Sequence, residues 1–416
     1  MRPLLFLTHR IPYPPDKGDK IRSFNILRYL ARRFEVHLGC FTDEKIGEAA
    51  VTHLRALCAD VFCLRVSRAR LVTAALEGFV LGRSISESFY RDVRMARWVS
   101  DTLARCSIRD ILVFCSAMAP HVLPHRPGRR VIVDAADVDS EKWSAYARSS
   151  IRPLGLLYRL EQSRVLALEK RAASCDRILF VSRSEADVFA RLAPEYADRI
   201  GWMNNGVDTA YFDPRRTYPS PFTPLELPIV FTGAMDYRPN IEAVIWFAET
   251  CLPRIRHACP RAEFWIVGAR PTLAVRRMTR HEGVRLTGSV ADVRPYLAHA
   301  ACSVAPLLIA RGVQNKVLEA MAMERSVVAT PAALEGITAR PGRDVLVADR
   351  TGDFALRVAE VLSDRWDGLG TAARRFVEYN HNWSESLKLL DRLFLHAQSA
   401  VGTECCDTAF VPTDAN

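Results

Sequence analysis

Several things are missing from this 416-residue sequence, and each absence removes a class of protein. No stretch reaches the ~18–20 apolar residues that a membrane-spanning helix needs. The apolar run Leu71–Leu81 is about half that long and carries Glu77. The start, Met1-Arg2-Pro3-Leu4-Leu5-Phe6-Leu7, offers one basic residue and too short an apolar run for a secretory signal. Export and membrane crossing are therefore not expected, and the location predicted is cytoplasmic. None of the eleven cysteines forms a CxxC pair, which speaks against zinc ribbons and dithiol redox sites. Cys40, Cys115 and Cys302 lie inside apolar runs, where a reduced thiol behaves as a small hydrophobe. The formal charge is +10, but it is spread along the chain. With no zinc finger, no aromatic RNA-binding stretch and no basic block, no nucleic-acid partner is expected.

What is present is a repeating alternation. Short apolar runs at Leu4–His9, Glu35–Phe41, Asp60–Val66, Asp110–Cys115, Val131–Asp134 and Arg177–Val181 read as strands. Helical patterns at Gly18–Arg33, Asp92–Arg105 and Gly155–Ala173 lie between them. A stretch dense in proline follows, with Pro214, Pro219, Pro221, Pro224 and Pro228, and neither continues a helix nor fills a central strand. The pattern then restarts with strands at Ile229–Thr232, Glu263–Val267, Val284–Thr287, Cys302–Ala305, Ser326–Thr330 and Asp344–Ala348. Helical patterns at Ile241–His257, Asp292–His299 and Asn315–Met323 separate these. The division predicted is a first domain over 1–208, a connection over 209–228 and a second domain over 229–383. A last helix (Ser384–Gln398, within 384–400) and a disordered tail over 401–416 complete it. The fold class is α/β, with two doubly wound, Rossmann-like parallel-sheet domains facing a cleft. Ligands of such sheets bind beyond the carboxyl ends of the strands.

Three strand-to-helix loops fall in that position. The first, Thr8 to Arg22, is stiffened by proline and ends in Gly18 at a helix start, where unpaired N–H groups suit an anion. His9, Lys17, Asp19, Lys20 and Arg22 make it a candidate acceptor-side loop, the alternative being a surface turn with solvated charges. The second runs from Val230 through Gly233 to Asn240, with Arg238 placed to fork a diphosphate. The third, Ala305 to Ala322, carries Gly312 and Val313 into a helix bearing Asn315, Lys316 and Glu319. A cation at a helix start suits phosphates, and a carboxylate one turn on suits ribose hydroxyls. The alternative is an i,i+3 surface pair worth a few tenths of a kcal/mol.

These residues resemble the family-4 glycosyltransferases of the GT-B fold. Glu319-Ala320-Met321-Ala322 is similar to that family's second signature glutamate, which holds the nucleotide ribose. The first signature glutamate would fall at Arg311, a departure that places positive charge at the donor site instead. Asn205-Gly206-Val207-Asp208 resembles the family's hinge-side segment. Gly268 ends a strand, and Leu286-Thr287-Gly288 resembles the loop that approaches the nucleotide base. The family's arginine and lysine after the first strand of the second domain are replaced here by Met235 and Arg238. The wording of Pro12–Lys20, Asp137–Trp143 and Gln314–Glu319 resembles a narrower subgroup, the sugar transferases of exosortase-linked exopolysaccharide systems.

The resemblance implies a nucleotide-sugar donor, a polysaccharide or lipid-linked saccharide acceptor, retention at the anomeric carbon, and neither metal nor cofactor. It also implies that the last helix returns to the first domain. The family's first-domain histidine has no counterpart after Val131–Asp134, which leaves Asp137, Asp139 and His121 as catalytic candidates, with His9 a further substitute. Two other readings remain: a GT-B sugar-nucleotide epimerase, which needs no acceptor, and a catalytically retired module. An anionic membrane surface is a further expected partner, on the inner face of the plasma membrane. The segment Arg148–Arg171 combines leucines with Arg148, Arg152, Arg159, Arg164, Lys170 and Arg171, and Arg65, Arg68 and Arg70 precede the Leu71–Leu81 run. The alternative is that both apolar faces pack inward.

Overall fold

The structure, a computed structural model, describes residues 1–15, 17–42, 48–67, 69–150, 153–310 and 312–395. Arg68, Arg152, Arg311, the end of the last predicted helix and the 401–416 segment lie outside them. The alternation becomes two parallel sheets. The first holds β1 (Arg2–Thr8), β2 (Phe34–Thr42), β3 (Asp60–Arg65), β4 (Asp110–Phe114), β5 (Arg130–Ala136), β6 (Arg177–Phe180) and β7 (Ile200–Trp202), ordered β3-β2-β1-β4-β5-β6-β7. The second holds β8 (Leu227–Thr232), β9 (Ala262–Val267), β10 (Val284–Gly288), β11 (Cys302–Ala305), β12 (Val327–Ala329) and β13 (Leu346–Val347), ordered β10-β9-β8-β11-β12-β13. Leu4 to Leu7 are fully buried, the run of unbroken apolar residues expected of a central strand covered on both faces. The strand order reverses between β1 and β4 and between β8 and β11, so each sheet opens a crevice there.

The chain crosses between the sheets twice. After β7 it passes through Asn205–Asp208, and near its end it comes back at His381–Trp383. The two crossings are tied together: Val207 N–H donates to the His381 carbonyl at 2.8 Å, and His381 Nδ1 bonds the Asn205 carbonyl at 2.9 Å. The segment that follows, up to Phe394, packs on the first sheet. Trp383, Leu387, Leu390 and Phe394 share one apolar cluster with Leu4, Phe6, Phe34 and Val36. Tyr29 donates to Asp391 at 2.6 Å, and Arg2 and Arg130 donate to the Phe394 carbonyl at 2.6 and 2.7 Å. The return to the first domain is as the resemblance implied. The single last helix is not: two short ones, Trp383–Ser386 and Lys388–Phe394, flank the buried Leu387.

The expected helix Ile241–His257 is also interrupted, whereas Gly155–Ala173 forms one helix, Leu154–Ala173. The segment Arg238–Ala258 contains a π turn at Phe247–Cys251, because Pro253 has no N–H to continue the α-helical ladder. The basic segment Arg148–Arg171 takes in the last residues of helix Asp139–Ser149 and, after Pro153, most of helix Leu154–Ala173. Leu71–Leu81 lies in a helix, Ala69–Leu81.

Candidate functional site

The second-sheet wall of the cleft is built from glycines and one charged helix. β8 and β9 end so close together that a Cβ on Gly268 would overlap the Gly233 carbonyl oxygen. Only glycine permits that approach. The tight turn brings Asn240 to the start of helix Arg238–Trp246, where its amide donates to the Ala234 carbonyl at 2.9 Å. Its oxygen accepts from Lys316 Nζ at 2.6 Å. The Lys316 ammonium also lies 4.8 Å from the centre of the Phe231 ring. Lys316 and Glu319 sit one turn apart on helix Asn315–Ala322. Burial pushes Lys316 down to about 8 against the attraction of Glu319, and burial pushes Glu319 up to about 7 against that of Lys316. The helix start also presents Asn315, whose Oδ1 is buried without a hydrogen-bond partner among the described residues.

The first-sheet wall faces it directly. A Cβ on Gly18, at the start of helix Gly18–Leu30, would lie 3.6 Å from the Asn315 amide nitrogen, so two helix N-termini from opposite sheets meet here. Both offer unpaired N–H groups and positive dipole ends. Lys17 contributes positive charge near Asp236, which is ion-paired with Arg270 at 2.6 Å. Gly312 has φ of +67°, and a Cβ there would overlap an Asp137 oxygen across the cleft. Asp137 and Asp139 share the Lys142 ammonium at 2.9 Å each, which holds Lys142 charged in spite of burial. Tyr237, on the loop after β8, lies within reach of this charge cluster. Beneath the cluster Glu169 accepts from Ser140 N–H at 3.2 Å. Burial pushes Glu169 up to about 8, reinforced by the Asp139 charge.

The remaining first-domain candidates are already engaged. His9 pairs with Asp19 at 3.2 Å, and Arg10 meets the same carboxylate at 2.8 Å. Burial works against a charged His9, but Asp19 and the neighbouring Cys115 raise its pKa well above the ordinary value. Burial likewise opposes ionisation of Asp19, and His9 and Arg10 outweigh it. Arg22 is buried; it forks Asp134 at 2.8 and 3.0 Å and donates to Asn205 at 2.8 Å. Lys20 is also buried on the same helix. His121 is buried, held by the Tyr90 carbonyl at 2.9 Å, and burial lowers its pKa.

Of the residues singled out by sequence, the fold thus brings Gly18, Gly233, Gly268, Gly312, Asn315, Lys316, Glu319 and Asp137 to one place. It places Val313 against Gly336, which in turn abuts Ser182 of the first sheet. Gly288 ends β10 at φ of +71° with open space where a Cβ would be. Arg238 is ion-paired with Glu242 at 2.7 Å one turn away, on the side of Tyr146 and Tyr158. Sequence reasoning missed Asn240 and Lys142. Asn240 stands at the start of a helix that follows a glycine loop, and that was its only signal. Lys142 lies three residues after Asp139, a spacing that on a helix aligns the two.

Residues 226–364 match the family described as Glycosyl transferases group 1. No curated protein sequence is significantly similar to the chain. Among solved structures, a glycosyltransferase from Rickettsia africae superposes with a TM-score of 0.65 at 14% identity, covering 96% of this chain and 99% of its own. The Anabaena protein HepE in complex with UDP and glucose gives 0.64 at 14% identity, with 94% and 99% covered. Sucrose-phosphate synthase from Thermosynechococcus elongatus gives 0.66 at 16% identity, with 95% and 99% covered. The fold is therefore GT-B: two Rossmann-like parallel-sheet domains of seven and six strands facing each other.

Proposed function

We propose that the protein is a glycosyltransferase that moves a sugar, a hexose in the simplest case, from a nucleoside-diphosphate sugar to a saccharide acceptor. The observation that carries this reading is the helix Asn315–Ala322, which faces Gly18 across the cleft with Lys316, Glu319 and an Asn315 oxygen that has no partner among the described residues. The donor diphosphate lies between the two helix N-termini, and Lys316 neutralises charge as the phosphate leaves. Glu319, once ionised, accepts from both ribose hydroxyls. The match of residues 226–364 to the group 1 family supports sugar transfer, and the HepE complexes with UDP and UDP-glucose support a nucleotide-sugar donor.

The finer reading follows the motif wording. It assigns the chain to family 4 and to exopolysaccharide synthesis, with retention at the anomeric carbon, no metal, and a polysaccharide or lipid-linked precursor as acceptor. Arg311, outside the described residues, adds donor-side charge. Asp137 and Asp139, held by Lys142 beside the donor loop, are the first-domain groups assigned to the acceptor hydroxyl. The division of labour between domains 1–208 and 229–383 is part of the same proposal.

The test is a thermal-shift panel of UDP-, GDP- and ADP-sugars, followed by incubation of the stabilising donor with and without envelope saccharide precursors. A ligand that binds the folded state alone raises its apparent stability. Release of nucleoside diphosphate that depends on acceptor, with the new bond in the donor's anomeric configuration, is the expected result. Interconversion of the sugar nucleotide without acceptor identifies an epimerase. A folded protein that binds none of the donors is a retired module.

A further inference from the structure

The helix Ala69–Leu81 packs the wrong way round for a core helix. Its buried residues are Ala74 and Gly78, among its smallest, and a Cβ on Gly78 would press to 2.9 Å from the Arg83 carbonyl. Its largest side chains face out: Val72, Leu76, Phe79 and Val80 lie at i, i+4, i+7 and i+8, on one face, and Leu76 and Phe79 are 64% and 67% exposed. The start of helix Leu154–Ala173 does the same, with Leu156 and Leu157 68% and 55% exposed. The two faces adjoin. Arg164 donates to the Phe79 carbonyl at 3.4 Å, with its guanidinium 6.0 Å from the ring centre, and Leu157, Leu160 and Arg164 follow one another along a single helix face. Together these two stretches hold ten of the twenty-two exposed large hydrophobic residues among the described ones, and the rest are dispersed over the molecule. An apolar patch so concentrated marks an interaction surface.

The charges on this patch indicate what covers it. Each apolar stretch contains one acid. Glu77 is forked by Arg70 at 2.6 and 2.9 Å, and Glu161 is turned inward to accept from the Ile85 N–H at 2.7 Å. The charges left facing out with the leucines are cationic, from Arg159 and Arg164, with Arg83 beside Glu77. A protein interface between copies would set like charge against like, whereas an anionic bilayer offers acyl chains to the leucines and headgroup phosphates to the guanidinium groups. The patch also runs into the cleft. Tyr158, on the same helix turn as Leu157, packs at a tilt against Trp143 and Tyr146 at 5.6 and 6.0 Å; these two share helix Asp139–Ser149 with Lys142, and Tyr146 and Lys142 both act on Tyr237 at the cleft.

We propose that the exposed faces of helices Ala69–Leu81 and Leu154–Ala173 dock on an anionic lipid surface, and that the aromatic trio Trp143, Tyr146 and Tyr158 forms the path by which a lipid-linked acceptor enters the cleft. The second clause rests on the glycosyltransferase reading; the first does not. Aromatic side chains with polar tips suit the boundary between acyl chains and water.

Sedimentation of the full chain with vesicles tests the docking without donor or acceptor. The protein should bind vesicles of equal parts phosphatidylcholine and phosphatidylglycerol at low salt, bind phosphatidylcholine alone far more weakly, and lose affinity as salt rises. Arg159→Glu should lower affinity several-fold, since one cation near an anionic surface is worth about 1 kcal/mol. The triple variant L76S/F79S/L157S should abolish sedimentation while keeping the melting temperature and the donor-induced thermal shift of the parent. Leu356→Ser, an exposed leucine of the second domain, should change nothing. No binding to the anionic vesicles, or binding that the triple variant retains, overturns the docking. A dimer in solution that the triple variant dissolves, without vesicle binding by the parent, overturns it in favour of a second copy. For the acceptor path, Trp143→Ala should slow transfer to a lipid-linked acceptor while leaving transfer to its water-soluble headgroup analogue intact; equal loss on both rejects the path.

Discussion

The two walls of the cleft treat their charged groups in different ways. On the first-sheet wall the aspartates near the cleft are ion-paired: Asp137 and Asp139 with Lys142, Asp19 with His9 and Arg10, and Asp134 with Arg22. On the second-sheet wall the Lys316 ammonium has a neutral amide, Glu319 has the incomplete support of Lys316, and Asn315 has an oxygen without a partner among the described residues. A buried polar group without its partner costs free energy, and a ligand that completes it recovers that cost. On the proposed function, the second wall would take the charged, hydroxyl-rich donor, and the first, with its aspartates already paired, the acceptor sugar.

The largest effect expected is on the first wall and on stability. Arg22→Leu leaves Asp134 buried without its partner and should cost about 3–5 kcal/mol in chemical denaturation. Lys316→Met should cost less in the same measurement, since Glu319, already raised to about 7, can take up a proton when its partner is gone. Equal costs would erase the contrast between the walls. On turnover the order reverses. Lys316→Met should lower kcat/KM about 100-fold or more, as removal of a positioned donor at a developing anion does elsewhere. Lys388→Met, at an exposed pair with Glu385, should be neutral.

Glu319→Gln should weaken nucleotide binding about tenfold, by loss of a charged acceptor of two hydroxyls. Its pH dependence sharpens the point. Glu319 sits at about 7 and Lys316 at about 8, so the two are ionised together to the greatest extent between these values. Donor affinity should fall as pH drops through about 7 and Glu319 takes up a proton, and fall again above about 8 as Lys316 loses one. In Glu319→Gln the acid limb should vanish and the alkaline limb remain, as read by titration at several pH values. The smallest effect expected is that of Arg238→Ala, about threefold at most on donor binding, because its guanidinium is held by Glu242 at the surface.

Much of this contrast was legible in the sequence on one side only. The second wall rests on glycines and on a helix with a recognisable Glu-Ala-Met-Ala, and these are features of local chain geometry. The first wall depends on which way side chains face. Lys20 and Arg22 look like surface charges beside a loop, but helix Gly18–Leu30 has apolar and polar residues on every side, and only its packing against β5 and the Asn205 crossing turns Arg22 inward. Lys142 is invisible as a site residue until the chain reversal after β5 folds it between two aspartates. The strands were readable because central parallel strands are apolar throughout, and twelve of the thirteen overlap the expected runs, six of them reaching beyond; β7 (Ile200–Trp202), three residues long, was missed. The helix Ala69–Leu81 shows the converse: its apolar run suggests burial, and its bulk turns out to solvent.

The end of the chain has a consequence for the order in which the molecule is built. Phe394 closes the apolar cluster around Leu4 and Phe34, and Trp383 lies against Gly206. Proteins emerge from the ribosome N-terminus first, and an early domain commonly folds while the rest is still being made. Here the first sheet comes off the ribosome with one flank of its core bare, and must wait through the synthesis of the whole second sheet for the last turns of helix to cover it. A ribosome-stalled chain ending before residue 383 should therefore hold a first half open to protease and to chaperones, and the addition of the final segment should close it.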